Sequence, residues 1–327
     1  MKLSQLPRNW RFWFTLAASI MLLAASFHPK APLEHKVYRF LFVIDITQSM
    51  NSRDVQWDGQ PLDRLAYTKE AIRHALMDLP CGSEAGLGLF TTRNTEVLFE
   101  PIEVCEHLPI IDDVLTHIDW RMAWAADSYI AEGLFNALRH LRKRSVPVSL
   151  AFFSDGQQTP EETIQPNFPG KPGDHHGLIV GVGGMQSVMI PKLDRDNQLI
   201  GYWEVRDIVT PVTTTEYQQA KPETPEFTAQ DGYYLSRLHE DRLKRLAGLT
   251  GLEYHRLSDF RELSRALRAP AFAETRRVAS DLSAPLAGAA GLLLLTSFLR
   301  WPRRRSKLWQ NIKRHPLAFL RSAHTRG

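Results

Sequence analysis

The sequence has few cysteines and lacks the short motifs that mark the common catalytic sites. Its two cysteines, among 327 residues, do not form a Cys-x-x-Cys pair, so paired-thiol redox catalysis and a thiolate zinc site are not expected. It contains no Gly-x-Ser-x-Gly turn, no phosphate-binding Gly-x-x-x-x-Gly-Lys-[Ser/Thr] loop and no Ser-His-Asp order. These absences give an enzyme little support, and leave a metal-assisted hydrolase as a weaker alternative.

Acidic residues are absent from both ends of the chain. Residues 1–11 and 300–327 carry 12 of the 40 Lys and Arg residues, which leaves 28 basic residues against 36 acidic ones and a formal charge of −8 for the body. The overall charge of +4 therefore comes from the ends, and nucleic acid is not an expected partner.

Two apolar runs lie just inside these basic ends, at residues 12–27 and 282–299. Apolar runs flanked by basic residues are typical of transmembrane segments with their basic sides in the cytoplasm. We therefore predict a cytoplasmic N-terminus at 1–11, an extracytoplasmic domain at 28–281 and a basic cytoplasmic tail at 300–327. The first run is a signal anchor or a signal peptide cleaved near residues 24–26. Two buried core helices are the alternative for the pair of runs.

An exported domain folds in an oxidising compartment. For such a domain we favour a disulfide between Cys81 and Cys105 over two free thiols.

Between the apolar runs, short apolar segments alternate with segments of helical period. Strands are predicted at 38–46, 86–91, 95–99, 146–153, 178–182 and 253–257, and helices at 62–79, 110–118, 130–141, 238–249 and 260–267. Strands that alternate with helices form a mostly parallel sheet covered on both faces, because each crossover returns over one face. The predicted fold class is α/β, doubly wound.

One stretch, at about 188–235, departs from this alternation. Two alternating segments, 188–193 and 199–205, flank the polar residues 194–197, which is the pattern of a β-hairpin. We interpret the stretch as a hairpin insertion followed by a linker rich in Pro and Thr.

Two of the apolar strands are followed directly by aspartates. Asp45 opens the sequence Asp-Ile-Thr-Gln-Ser, which also supplies Thr47 and Ser49, and Asp155 lies in Ser-Asp-Gly. Since ligands of open parallel sheets bind at the carboxyl ends of the strands, both carboxylates are expected in one crevice. Ser128, at the start of a predicted helix, offers another hydroxyl.

These five side chains are hard oxygen ligands, which suit Mg²⁺, or Mn²⁺ as a near substitute, better than Zn²⁺. The alternative is that the two aspartates only cap the helices that follow them. Capping does not require the hydroxyls of Thr47 and Ser49.

Asp-x-Thr-x-Ser after a strand, Asp127-Ser128 before a helix and a later Ser-Asp-Gly together resemble the metal-ion-dependent adhesion site (MIDAS) of von Willebrand factor A domains. The resemblance covers roughly residues 38–270. It implies metal ligands at Asp45, Thr47, Ser49, Ser128 and Asp155, and a protein partner whose acidic residue completes the metal's coordination. Thr47 and Ser128 replace the commoner Ser and Thr of that family and keep the hydroxyl groups.

Four further segments, 44–50, 79–83, 99–105 and 119–124, resemble the membrane-bound accessory proteins of bacterial methanol oxidation gene clusters. This resemblance implies a bacterial inner-membrane protein with a periplasmic domain. It would act as an accessory or assembly factor for a periplasmic quinoprotein dehydrogenase such as methanol dehydrogenase. The two-anchor arrangement also resembles the aerotolerance-type von Willebrand A proteins, so a cell-envelope scaffold is the alternative.

Two tryptophans, Trp120 and Trp124, precede the Asp127-Ser128 pair. Because aromatic residues are enriched at interface hot spots, both are predicted partner contacts at the metal-binding rim. Packing within the core is the alternative for either one.

Overall fold

The computed structural model describes residues 10–123, 127–159, 166–204 and 234–299. The chain divides into two compact units. The larger unit is Leu33–Val278, and the smaller unit combines Met1–Pro32 with Ala279–Gly327.

Thirteen strands and seven α-helices are present in the described residues. The strands are β1 Lys30–Asp45, β2 Val55–Trp57, β3 Gln60–Leu62, β4 Glu84–Thr91, β5 Asn94–Glu103, β6 Ser149–Ser154, β7 Gly177–Gly181, β8 Val188–Met189, β9 Pro191–Leu193, β10 Leu199–Tyr202, β11 Leu235–Ser236, β12 Glu253–Arg256 and β13 Ala273–Asp281. The helices are α1 Trp10–Ala25, α2 Arg64–Asp78, α3 Val104–His117, α4 Ile130–Arg142, α5 Glu240–Thr250, α6 Phe260–Leu267 and α7 Ser283–Phe298.

The main sheet confirms the predicted α/β class. Its strand order is β12-β7-β6-β1-β4-β5, and β13 also pairs with β1. β12, β7, β6, β1 and β4 run parallel, and only the pairing of β5 with β4 along this path is antiparallel. From β1 the chain goes first to β4 on one side and later to β6 on the other, so the sheet is doubly wound.

Side-chain alternation along β1 builds a separate core on each face of the sheet. Phe40, Phe42 and Ile44 point into a cluster with α2, α3 and α6, whereas Leu41 and Val43 point into a cluster with α4 and α5. All five side chains are fully buried. Burial on both faces explains why this strand is a continuous apolar run in the sequence.

Cys81 and Cys105 form a disulfide, as predicted. The bond joins the turn after α2 to the first helical turn of α3. It therefore fixes the start of α3 against the end of α2.

The two apolar runs near the ends correspond to α1 and α7, which pack against each other within the smaller unit. Each helix has 16 residues. Among the residues described, no helix combines the length and the apolarity needed to cross a membrane. The predicted transmembrane spans at 12–27 and 282–299 are therefore not supported by the structure. The predicted tail at 300–327 lies outside the described residues.

The insertion contains the predicted hairpin with different bounds. β9 and β10 are antiparallel around the turn at 194–198. Val188 and Met189, predicted to begin the hairpin, instead pair with β11, which brings the end of the insertion back to its start. The predicted linker falls largely on residues 205–233, outside the described residues.

Candidate metal-binding site

The candidate site lies where the winding of the sheet reverses. β1 and β6 are neighbours, and their connections leave toward opposite edges. Such a switch point opens a crevice at the carboxyl ends of the two strands. Asp45 is the last residue of β1, and Asp155 directly follows β6, so the topology brings both predicted carboxylates to this crevice.

The Asp45 carboxylate accepts hydrogen bonds from hydroxyl groups around it. Its Oδ1 accepts hydrogen bonds from the Thr47 backbone N–H (2.9 Å) and the Thr47 Oγ1 (2.7 Å), and its Oδ2 accepts one from the Ser154 Oγ (2.6 Å). The Ser49 Oγ lies 3.4 Å from the Thr47 Oγ1. These side chains are buried, so they form a compact set of oxygens at the end of β1.

The spacing of these oxygens fits a small octahedral cation. Metal–oxygen distances of 2.0–2.1 Å, as for Mg²⁺, place neighbouring ligand oxygens about 2.9 Å apart. The Thr47 Oγ1 lies 2.7 Å from the Asp45 Oδ1 and 3.4 Å from the Ser49 Oγ. The donor set is hard oxygen throughout, which is the chemistry that Mg²⁺ and Mn²⁺ prefer.

Asp155 lies in a different environment, beside a buried arginine. Its Oδ2 accepts hydrogen bonds from the Arg64 Nη1 (2.5 Å) and the Ser236 Oγ (3.1 Å), and its Oδ1 accepts one from the Gln157 backbone N–H (2.9 Å). Asp155 and Arg64 are both fully buried. Within the part of the chain that the structure describes, Asp155 is therefore paired with a cation and Asp45 is not.

The charges at the crevice do not balance. Asp45, Asp155 and Asp54 supply three carboxylates with buried side chains, and the guanidinium of Arg64 pairs with two of them, Asp54 and Asp155. With all three carboxylates ionised, the four groups carry a net charge of −2, which one divalent cation would neutralise. Burial, and next the negative charge of Asp155, raise the pKa of Asp45 to about 7, against the hydrogen bonds from Ser154 and Thr47.

Residues 40–158 match the sequence model of the von Willebrand factor type A domain family. With the doubly wound sheet, this match decides the fold. Over these residues the chain has a von Willebrand factor A-type domain, called the A domain below. No curated protein matches the chain.

Several solved structures are similar to this A domain. An aerotolerance-related membrane protein from Bacteroides fragilis is 15% identical, with a TM-score of 0.45 over 70% of this chain and 95% of its own. A conserved hypothetical protein, BatB, from Bacteroides thetaiotaomicron is 17% identical, with a TM-score of 0.45 over 70% of this chain and 94% of its own. An ArnB paralog from Sulfolobus acidocaldarius is 13% identical, with a TM-score of 0.36 over 72% of this chain and 46% of its own.

Ser128 lies on the same rim of the A domain, in the loop before α4. Its backbone forms bridges to Thr92 and Thr159, and its Oγ donates to the Gln157 carbonyl at 2.9 Å. Thr92 follows β4, and Gln157 and Thr159 follow β6. The loop that carries Ser128 is thus tied to the carboxyl ends of the strands on both sides of β1.

Buried hydroxyl and amide oxygens along this rim have spare hydrogen-bonding capacity. The Oγ of Ser52, the Oγ1 atoms of Thr91 and Thr92, and the Oε1 of Gln157 have no hydrogen-bond partner within the described part of the chain. Because buried polar atoms without partners are rare, these four atoms have hydrogen-bonding capacity that solvent or the waters of a hydrated ion could use. The residues present therefore fit a divalent metal that keeps several of its waters.

Of the two predicted contact tryptophans, only Trp120 lies within the described residues. The Trp120 indole N–H donates to the Asn197 Oδ1 at 2.7 Å, and the Asn197 Nδ2 donates to the Asp119 Oδ2 at 2.9 Å. Trp120 thus fastens the turn of the inserted hairpin to the segment before the Ser128 loop, and its partner contact remains a prediction. Trp124 lies outside the described residues.

Sequence reasoning missed Arg64, Asp54 and Ser236. The side-chain partners of the Arg64 Nη1 lie 91 and 172 residues along the chain, and no short motif joins them. Ser154 could have been identified, because it is the first residue of the Ser-Asp-Gly motif.

Proposed function

We propose that this domain binds a divalent metal, Mg²⁺ or Mn²⁺, and holds a protein partner through it. Asp45, Thr47 and Ser49 would ligate the metal, with Ser128 and Asp155 completing the site. The observation that carries the proposal is the buried Asp45 carboxylate. Two hydroxyls lie beside it within hydrogen-bond reach of one another, and it has no cationic partner among the described residues.

The arrangement supports binding rather than turnover. Asp155 is held by Arg64, Ser236 and a backbone amide, and Asp45 by Thr47 and Ser154, so both carboxylates serve as fixed acceptors. A bound metal would supply an open coordination position for an acidic side chain of the partner. We infer that the chain is not an enzyme.

For the partner, we propose a periplasmic quinoprotein dehydrogenase, such as methanol dehydrogenase, or one of its assembly proteins. Support comes from the methanol-oxidation resemblance of four segments, which include the disulfide-forming cysteines. We place the domain on the periplasmic side of the bacterial inner membrane, since the basic residues at both ends favour a cytoplasmic position for those ends. Nucleic acid is not a proposed partner.

Metal binding is tested by titrating Mg²⁺ and Mn²⁺ into the metal-free full-length chain, in a mild detergent, by isothermal calorimetry. We expect one ion per chain and loss of binding in Asp45→Ala. Asp78→Ala, which removes an exposed carboxylate at the far end of α2, is the matched control and should bind like the unaltered chain. Equal binding by Asp45→Ala would contradict the site.

Partner binding is tested with the tagged full-length chain as bait in solubilised bacterial membranes, with Mg²⁺ or with a chelator. Recovery of a quinoprotein dehydrogenase with Mg²⁺ only, and not by Asp45→Ala, supports the full proposal. Metal-dependent capture of a different partner would support the metal-dependent binding function and contradict the methanol-oxidation pathway. Capture unaffected by chelation would favour the envelope-scaffold alternative.

A further inference from the structure

Among the described residues, Arg64 is the largest with a completely buried side chain. It is the first residue of α2, and its exposed fraction is 0%. A buried cation is costly unless it is paired and hydrogen-bonded. Asp54 pairs with it in the two-pronged manner typical of arginine and carboxylate, through Nε to Oδ1 at 2.8 Å and Nη2 to Oδ2 at 2.5 Å.

The remaining nitrogen of Arg64 points into the candidate metal site. Its Nη1 donates to the Asp155 Oδ2 and the Ser236 Oγ, both at 2.5 Å, and lies 3.4 Å from the Ser49 carbonyl oxygen. One guanidinium therefore touches the loop after β1, the loop after β6 and strand β11. It does not contact Asp45 by any described hydrogen bond or ion pair.

The loop after β7 holds the guanidinium in place. The Gly184 backbone N–H donates to the Asp54 Oδ2 at 2.8 Å. Gly183 has a φ of +118°, and a Cβ there would lie 2.6 Å from the Arg64 Nε. Because the backbone passes so close to the side chain, the charged guanidinium of Arg64 is held in a fixed position beside the site.

We propose that Arg64 is a specificity-determining residue of the metal site. When Asp45, Asp54 and Asp155 are all ionised, its charge reduces their three negative charges to a net −2, the charge that matches one divalent ion. This inference rests on the proposed metal-binding function. Without Arg64 the site would carry −3 and favour trivalent ions; without the Asp54 charge it would carry −1 and bind every multivalent cation more weakly.

The test compares Mg²⁺ and Tb³⁺ affinities of the full-length chain, measured by calorimetry near neutral pH, among four proteins. Arg64→Gln should bind Mg²⁺ roughly tenfold more tightly or better, because a repelling charge near the ion is removed. The gain in the logarithm of the Tb³⁺ affinity should be about one and a half times the Mg²⁺ gain, since Coulomb energy scales with the charge of the ion. Asp54→Asn should shift both affinities in the opposite direction. Arg73→Gln makes the same charge change on α2, at a residue paired with Glu70 and Asp112, and should change neither affinity by more than about twofold.

The direction of the change separates a charge effect from damage to the fold. Damage to the fold would lower the Mg²⁺ and Tb³⁺ affinities with no fixed relation between the two changes. Weaker Mg²⁺ binding by Arg64→Gln would therefore overturn the inference. If that variant does not fold, Asp54→Asn carries the test, and an unchanged Tb³⁺-to-Mg²⁺ ratio there overturns it. Failure of the unaltered chain to bind Mg²⁺ would instead contradict the proposed function itself.

Discussion

At the scale of single residues, Asp45 should make the metal-free protein sensitive to pH. Its pKa is raised from 3.8 to about 7, first by burial and then by the charge of Asp155. Between these values the folded chain keeps a proton that the unfolded chain has released, so stability falls as pH rises toward about 7 and then levels off. The total effect is on the order of a few kcal/mol.

Urea unfolding of the metal-free protein at a series of pH values checks this prediction. Stability should be higher near pH 5 than near pH 8, because these two values lie on opposite sides of the raised pKa of about 7. Asp45→Asn should flatten this dependence, and Mg²⁺ should restore stability at the higher pH because it replaces the proton. If the stability of Asp45→Asn varies with pH as steeply as that of the unaltered chain, other groups cause the pH dependence.

The candidate site could be predicted from the sequence where its residues belong to a short motif or directly follow a buried apolar strand. Asp45, Thr47 and Ser49 share one loop, and the alternation of their positions predicts the convergence observed. Arg64 meets Asp155 only through the topology of the sheet. A buried arginine at the start of a helix has the same local sequence pattern as an exposed one, so its role becomes visible only in three dimensions.

At the scale of elements, α4 packs closely on the sheet at Gly133. A Cβ there would lie 2.1 Å from two ring carbons of Phe90, which is fully buried. Gly133→Ala should therefore destabilise the domain by about 1–3 kcal/mol through overpacking, despite the better helix propensity of alanine.

Gly248, in α5, is the matched control, because a Cβ there would meet nothing within 4 Å. Gly248→Ala should stabilise by about 0.5–1 kcal/mol. Equilibrium unfolding in urea measures both variants. Equal and favourable effects of the two substitutions would show that α4 stands further from the sheet than described.

The disulfide between α2 and α3 should contribute substantially to stability. Its cysteines are 24 residues apart, and closing a loop of that length in the unfolded chain is worth about 3 kcal/mol. Replacing both cysteines with serine should lower the free energy of unfolding by about that amount in guanidinium chloride. Reductant should reproduce the loss in the unaltered chain and have no effect on the double variant.

The elements that the sequence predicts well are those buried on both faces. β6 and β7 are short apolar runs, and the structure places them near the predicted positions. β13 was missed, because its sequence Ala-Glu-Thr-Arg-Arg-Val-Ala-Ser-Asp mixes charges with small residues and only half-buries alternate positions. Its pairing with β1 is set by a strand more than 200 residues earlier in the chain, which no local pattern records.

At the scale of the whole molecule, the smaller unit differs from the A domain in its surface. Most large apolar side chains of α1 are exposed, with Ile20 at 58% and Leu23 at 63%, and on α7 Leu292 and Leu295 are exposed at 66% and 67%. Large exposed apolar patches mark a surface for lipid or for another protein. With the membrane location proposed above, we expect this pair of helices to associate with lipid.

Flotation with vesicles of phosphatidylethanolamine and phosphatidylglycerol tests that expectation. The full-length chain should rise with the vesicles and remain bound in high salt, because burial of each large apolar side chain stabilises the bound state by about 1.5–3 kcal/mol and is not screened. Replacing Ile20 and Leu23 with serine should weaken the association, whereas the matched loss of Met77, an exposed apolar residue of α2, should not. Release of the chain from the vesicles by high salt would show that the basic ends hold it there. A chain that does not rise with the vesicles even in low salt would contradict the membrane location.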